Sequence, residues 1–127
     1  MDLKDYFENT KGIGILSTAD SEGNVDSALY ARPHIMEDTT LALIMHDRLS
    51  HANLQSNPKA AYLFLEDGQE YEGKRFFLTK VKEEQDPEKI ESLRRRSYAP
   101  DDPMQKKDVF LVYFQIDQEL PLIGSGK

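Results

Sequence analysis

The 127-residue sequence predicts a mostly β, α+β protein: about six short antiparallel strands in a barrel or sandwich, with two or three short helices. Three observations carry this. Short apolar runs recur between turn clusters such as Asp20-Ser21-Glu22-Gly23-Asn24 and Asp67-Gly68-Gln69-Glu70. The first two runs, on either side of the earlier cluster, have the pattern of a hairpin. Helical spacing is confined to brief stretches, and no linker or repeat divides the chain. Residues 1–127 therefore read as one domain, with an N-terminal helix in 1–11 and a C-terminal tail in 117–127.

In order, Leu3, Tyr6 and Phe7 give residues 2–10 an amphipathic helical face, which Gly12 is expected to end. Residues 13–19 and 25–36 form the hairpin, with Asp26, Ala28, Tyr30 and Arg32 on one face of the second strand. Pro33 must lie at an edge, a bulge or the strand's end, because it cannot donate to a ladder. Glu37-Asp38-Thr39-Thr40 turns into a strand at 41–45, and two more strands follow at 59–66 and 74–82. Asp86-Pro87 has the cap and first position of a helix whose acids come early and whose Arg94, Arg95 and Arg96 come last. Those arginines suit either a solvated last turn or an anion site. A polar loop at 97–107 precedes a run at 109–116 too continuously apolar for a half-exposed strand. The apolar surplus of 109–116 and 60–65 predicts a homodimer interface.

Hydrophobic residues at 39% and charged ones at 31% describe a globular chain rather than a disordered one. A net charge of −7 and a pI near 4.9 disfavour nucleic-acid binding and an anionic membrane surface. The absence of cysteine removes disulfides, thiolate metal sites and cysteine nucleophiles. No apolar run reaches membrane-spanning length and no signal-peptide pattern opens the chain, so a cytoplasmic protein is expected. His34, His46 and His51 make no compact metal motif. Ser50, His34 and an acid could be assembled into a triad, but no nucleophile elbow would hold it. The glycines form neither a dinucleotide fingerprint nor a phosphate loop.

One stretch stands out: residues 46–58, between two apolar runs. Ser50 reads as the N-cap of a short helix, and Asn57-Pro58 closes it. Free amides at that N-terminus, with Arg48 ahead and His51 just inside, form a candidate phosphate seat. An ordinary capped helix with a solvated arginine is the competing account.

The order Gly14-Ile15-Leu16-Ser17-Thr18-Ala19-Asp20, then Glu22-Gly23-Asn24-Val25-Asp26-Ser27-Ala28, resembles the opening hairpin of the pyridoxamine 5′-phosphate oxidase-like, FMN-binding split-barrel family. Residues 50–61, including Asn53-Leu54-Gln55-Ser56-Asn57-Pro58, are similar to that family's phosphate-binding turn, helix and following strand. The likeness spans about residues 5 to 116. It implies a six-stranded antiparallel split β-barrel, homodimeric, binding FMN at the dimer interface. Carried over by position, Ala28, Leu29, Tyr30, Ala31 and Arg32 would run along the isoalloxazine ring. Ile44, Met45 and His46 would offer backbone groups to its polar edge. Arg48, Leu49 and Ser50 would surround the phosphate, and the partner subunit would contribute Lys74 and Arg75. Many members carry an arginine-lysine pair where this chain has Leu49 and Ser50, so Arg48, Ser50 and Arg75 must supply the charge. The oxidase's substrate-binding C-terminal segment has no counterpart here. The resemblance implies an FMN-dependent oxidoreductase acting on a small-molecule redox substrate, in which Tyr30, Arg32 or His46 would tune the ring or donate a proton. The same three residues also suit core packing, an ion pair and a strand-end histidine. An FMN-binding electron carrier or sensor, or a cofactor-free interaction module, are the alternative functions.

Overall fold

The computed structural model describes residues 2–94 and 109–124. In chain order these form α1 (Leu3–Asn9), β1 (Gly12–Ala19), β2 (Val25–Tyr30), β3 (His34–Ile35), β4 (Leu41–His46), α2 (Leu49–Ser56), β5 (Lys59–Glu66), β6 (Gly73–Glu84), α3 (Pro87–Leu93) and β7 (Val109–Pro121). The strands make one antiparallel sheet ordered β2-β1-β5-β6-β7-β4-β3.

Alternation along the strands decides how this sheet bends. Leu16, Tyr62, Phe64, Phe76, Leu78, Met45, Val112 and Phe114 all point to one interior and are almost fully buried. Phe7 of α1 packs edge-on against Phe64, with ring centroids 5.3 Å apart, and plugs that interior. In a flat sheet β2 and β4 would lie five strand spacings apart, about 24 Å. Yet α2, just past β4, packs against both β1 and β2 and sets its Ser50 beside the Tyr30 phenol. The sheet therefore curls into a split barrel whose seam α2 bridges, leaning on β1 through the 3.0 Å bond from Asn53 Nδ2 to Thr18 Oγ1.

The outer face is covered unevenly. Ala42, Leu111 and Tyr113 form a second cluster under α3, through its buried Ile90. This is why the 109–116 run is so continuously apolar: β7 is covered on both faces within one chain. The surplus expected there for a dimer is consumed internally. Exposed apolar side chains stand instead on the outer face of β1 and β2, where Ile13, Val25 and Leu29 are 50%, 81% and 75% exposed, with Phe77 of β6 alongside.

The structure alters several boundaries. Among the described residues there are seven strands rather than six, because residues 31–33 interrupt the expected second strand and leave His34–Ile35 as a separate two-residue piece. Pro33 lies in that break, between two edge strands. α1 ends at the extended residue Thr10, before Gly12, which already belongs to β1. β7 continues through Pro121, pairing with β6, so residues 117–121 of the expected 117–127 tail are strand and Leu120 is buried. Ladder pairing with a neighbouring strand outweighed the polar composition that reads as fraying. Asp86 caps α3 as expected, accepting from the amides of Glu88 and Lys89. The loop expected at 97–107, and Arg95 and Arg96, lie outside the described residues.

Phe64 is fully buried and touches both Phe7 and Tyr6. Phe64→Ala should destabilise the fold by about 3–5 kcal/mol in urea unfolding. Asp86→Ala, which removes only a cap, should cost about 1 kcal/mol.

Candidate functional site

The seam between β2 and the β4–α2 junction gathers much of what the sequence singled out. β4 delivers Met45 into the core and Ile44 onto the α3 side, ending at the partly buried His46. The chain then turns, with the Arg48 amide donating to His46 O at 2.9 Å, and enters α2. Arg48, not Ser50, is the N-cap, and no side chain caps the helix. The expected Ser50 cap fails because the helix starts two residues earlier, which turns Ser50 inward, 3% exposed, toward Tyr30. The amides of Leu49, Ser50 and His51 are thus in the first turn, where no preceding helical carbonyl faces them.

Tyr30 reaches this point from the opposite edge of the sheet. Burial holds its phenol above the usual value, partly offset by the Ser50 hydrogen bond and the positive charge of Arg48. Tyr30, Arg48 and Ser50 are therefore one cluster at an uncapped helix start, with exposed Leu49 beside it. The backbone after Tyr30 is fixed by Tyr62, whose hydroxyl donates to Ala31 O at 3.0 Å. Gly14 leaves room for that reach: a Cβ there would come within 1.8 Å of the Tyr62 hydroxyl.

Other expected site residues have other work. Arg32 Nη1 donates to Phe7 O at 2.8 Å and Thr10 O at 3.1 Å, closing the C-terminal end of α1. Ala28 faces inward opposite Leu16, and Leu29 outward opposite Ile15. Lys74 pairs with Glu119 at 2.9 Å, and Arg75 donates to Pro121 O at 2.9 Å and to Gly124 O. Lys74 pairs in register with Pro121 and His46 with Val109, the two ends of β7. Within one chain these two basic residues hold the last strand and do not join Arg48.

His51 does not face the helix start as expected. Its Nδ1 lies 2.9 Å from Asp47 Oδ1 and its Nε2 2.9 Å from Glu83 Oε2, with the ring stacked on Phe110 at 3.9 Å. Lys80 and Gln55 donate to the other Glu83 oxygen. Burial alone would raise the Glu83 carboxyl; hydrogen bonds from Lys80, Gln55 and His51 outweigh it and lower the group from 4.5 to about 2. Sequence reasoning missed this network. The i,i+4 spacing of Asp47 and His51 was a usable local signal; Glu83 and Phe110 arrive only through the sheet. Among the described residues no group of histidine and acidic side chains could hold a metal ion. A cleft of about 760 Å³ between α1, the β3–β4 turn and β6–β7 contains none of the expected site residues.

No protein-family model and no curated protein sequence matches the chain. Solved structures do. An FMN-binding protein from Syntrophomonas wolfei is 19% identical with a TM-score of 0.73, covering 96% of this chain and 84% of its own. HupZ from Group A Streptococcus is 19% identical with a TM-score of 0.66, covering 94% and 90%. A candidate pyridoxamine 5′-phosphate oxidase from Lactobacillus delbrueckii is 16% identical with a TM-score of 0.65, covering 91% and 88%. At such identities the likeness establishes the fold, that of the oxidase-like split barrels, along nearly the whole chain.

The Glu83 network predicts an acid limb of stability. A carboxyl lowered in the folded state stabilises above its ordinary value of 4.5, and the gain is lost as pH falls toward about 2. Urea midpoints should drop across that interval, and Glu83→Gln should flatten the drop.

Proposed function

We propose that this protein is an FMN-binding flavoprotein of the oxidase-like type, an oxidoreductase that holds FMN at the interface of a homodimer. One observation carries the reading: Arg48, Ser50 and Tyr30 converge on an uncapped helix start, in a fold whose solved neighbours include an FMN-binding protein. The residues suit the phosphate end of FMN. Three first-turn amides and one exposed guanidinium are donors for an anion, and the helix dipole favours one there. Ser50 and Tyr30 add hydroxyls. Exposed Leu29 and Leu49 offer apolar surface to a flat ring system.

The dimer reading draws support from the outer sheet face. Ile13 pairs with Leu65, and Ile15 lies between Leu29 and Leu63, so an apolar patch crosses β2, β1 and β5. Nothing among the described residues covers it, whereas α3 covers the β4–β7 half. Arg75 lies opposite Leu63 at the margin of this patch, where a second copy would bring it toward the first chain's β2. That arrangement supplies the second cation that Leu49 and Ser50 lack.

Bound FMN supplies hydride and single-electron transfer. The chain's own work is to bind and to orient. Arg48 and the α2 amides hold the phosphate, the backbone of Ala28–Arg32 and of Ile44–His46 borders the ring, and Leu29 and Leu49 exclude water. Tyr30 keeps its proton at neutral pH and so serves as a donor. A small redox substrate would meet the exposed side of the ring. An electron carrier or sensor would use the same binding residues without turnover.

Adding the apo protein to FMN should quench and shift flavin fluorescence, a clean signal because the chain has no tryptophan. Arg48→Ala with Ser50→Ala should weaken binding by about 2–3 kcal/mol; unchanged affinity would place the phosphate elsewhere. Turnover of NADH or NADPH with flavin present separates an enzyme from a carrier. Ile13→Glu should convert the dimer to monomer in light scattering and release FMN with it.

A further inference from the structure

We propose that His51 is a positioning residue: gripped by Asp47 and Glu83, it fixes the turn that carries Arg48 and Ser50 and so sets how tightly an anion binds there. The inference rests on the reading of that turn as the phosphate seat. The turn needs such a device. α2 has no side-chain cap, its mean apolar character is slight, and Asp47, Arg48 and Leu49 are all exposed. Asn53 of α2, bonded to Thr18 of β1 at 3.0 Å, fixes one side. His51 fixes the other, joining the turn to β6 through Glu83 and to β7 through Phe110.

The groups facing the ring are Asp47 from the turn, Glu83 with its partner Lys80 from β6, Gln55 from α2, and uncharged Phe110 from β7. Ionised carboxylates only accept and the Gln55 amide nitrogen, 3.2 Å from Nε2, only donates, so the ring nitrogens are what join these groups into one network. Without them Asp47 and Glu83 lose their shared partner. The turn then loses its tether to β6, and Arg48 and the first-turn amides lose their common aim.

FMN titrations of the full chain test this. His51→Phe keeps the stack on Phe110 and removes both ring nitrogens; it should bind FMN roughly tenfold more weakly. Asp47→Asn, at an exposed position, should fold normally and show part of the same loss. Wild-type affinity in His51→Phe overturns the proposal. The apo protein gives a readout free of the flavin reading. Amide exchange at Arg48 and Ala52, whose N–H groups are bonded within the turn, should quicken in His51→Phe, while exchange in β5 stays slow. If FMN fails to bind the wild type but the turn loosens as stated, the seat is wrong and the clamp stands. If the turn exchanges identically in both proteins, the clamp is wrong whatever FMN does.

Discussion

Closure of the barrel is the constraint on which the other features depend. Tyr62, Phe64, Phe76 and Phe114 stand on one face of neighbouring strands and cannot leave water together unless the sheet bends around them. Bending brings the two ends of the sheet toward each other. Tyr30, at the edge strand, then meets Ser50, at the head of α2, and the seam acquires polar contents.

The same closure explains why the seam suits an anion on so acidic a chain. With a net charge of −7, most of the surface repels phosphates. Lys74, Lys80 and Lys89 are each engaged with a glutamate. Arg48 stands apart from these pairs: it is exposed, and it acts on Tyr30 at the helix start. Local amide dipoles and one guanidinium can prevail over a distant negative field, because exposed charges beyond about 10 Å are screened by salt.

The outer face divides the chain into a finished half and an unfinished one. α3 covers β4 and β7, and its Lys89, with Glu84 of β6, closes over Tyr113 at the edge of that cluster. Among the described residues β1 and β2 have no such cover, and apart from the bonded pair Ser17 and Ser27 their outward residues are apolar. In a sheet with alternating faces, such a pattern is costly to leave in water and is resolved by a second surface. The uncovered half lies beside the seam, where the proposed second copy would meet the proposed site.

The sequence by itself determined whatever depends on neighbours along the chain. Alternation and turn residues placed β1, β5 and most of β6; Asp86-Pro87 placed α3; Asn57-Pro58 ended α2. The resemblance in residues 14–28 and 50–61 pointed to the split barrel. Tertiary structure decided what depends on contacts distant in sequence. Pairing with β6 extended β7 to Pro121, against a composition that reads as a loose tail. The cover of α3 absorbed the apolar surplus of β7 and left the exposed surplus on β1 and β2. Arg32 was drawn to the carbonyls of α1, and His51 to Glu83, thirty-two residues away. Periodicity reports which face a side chain is on; only the folded sheet reports which partner waits there.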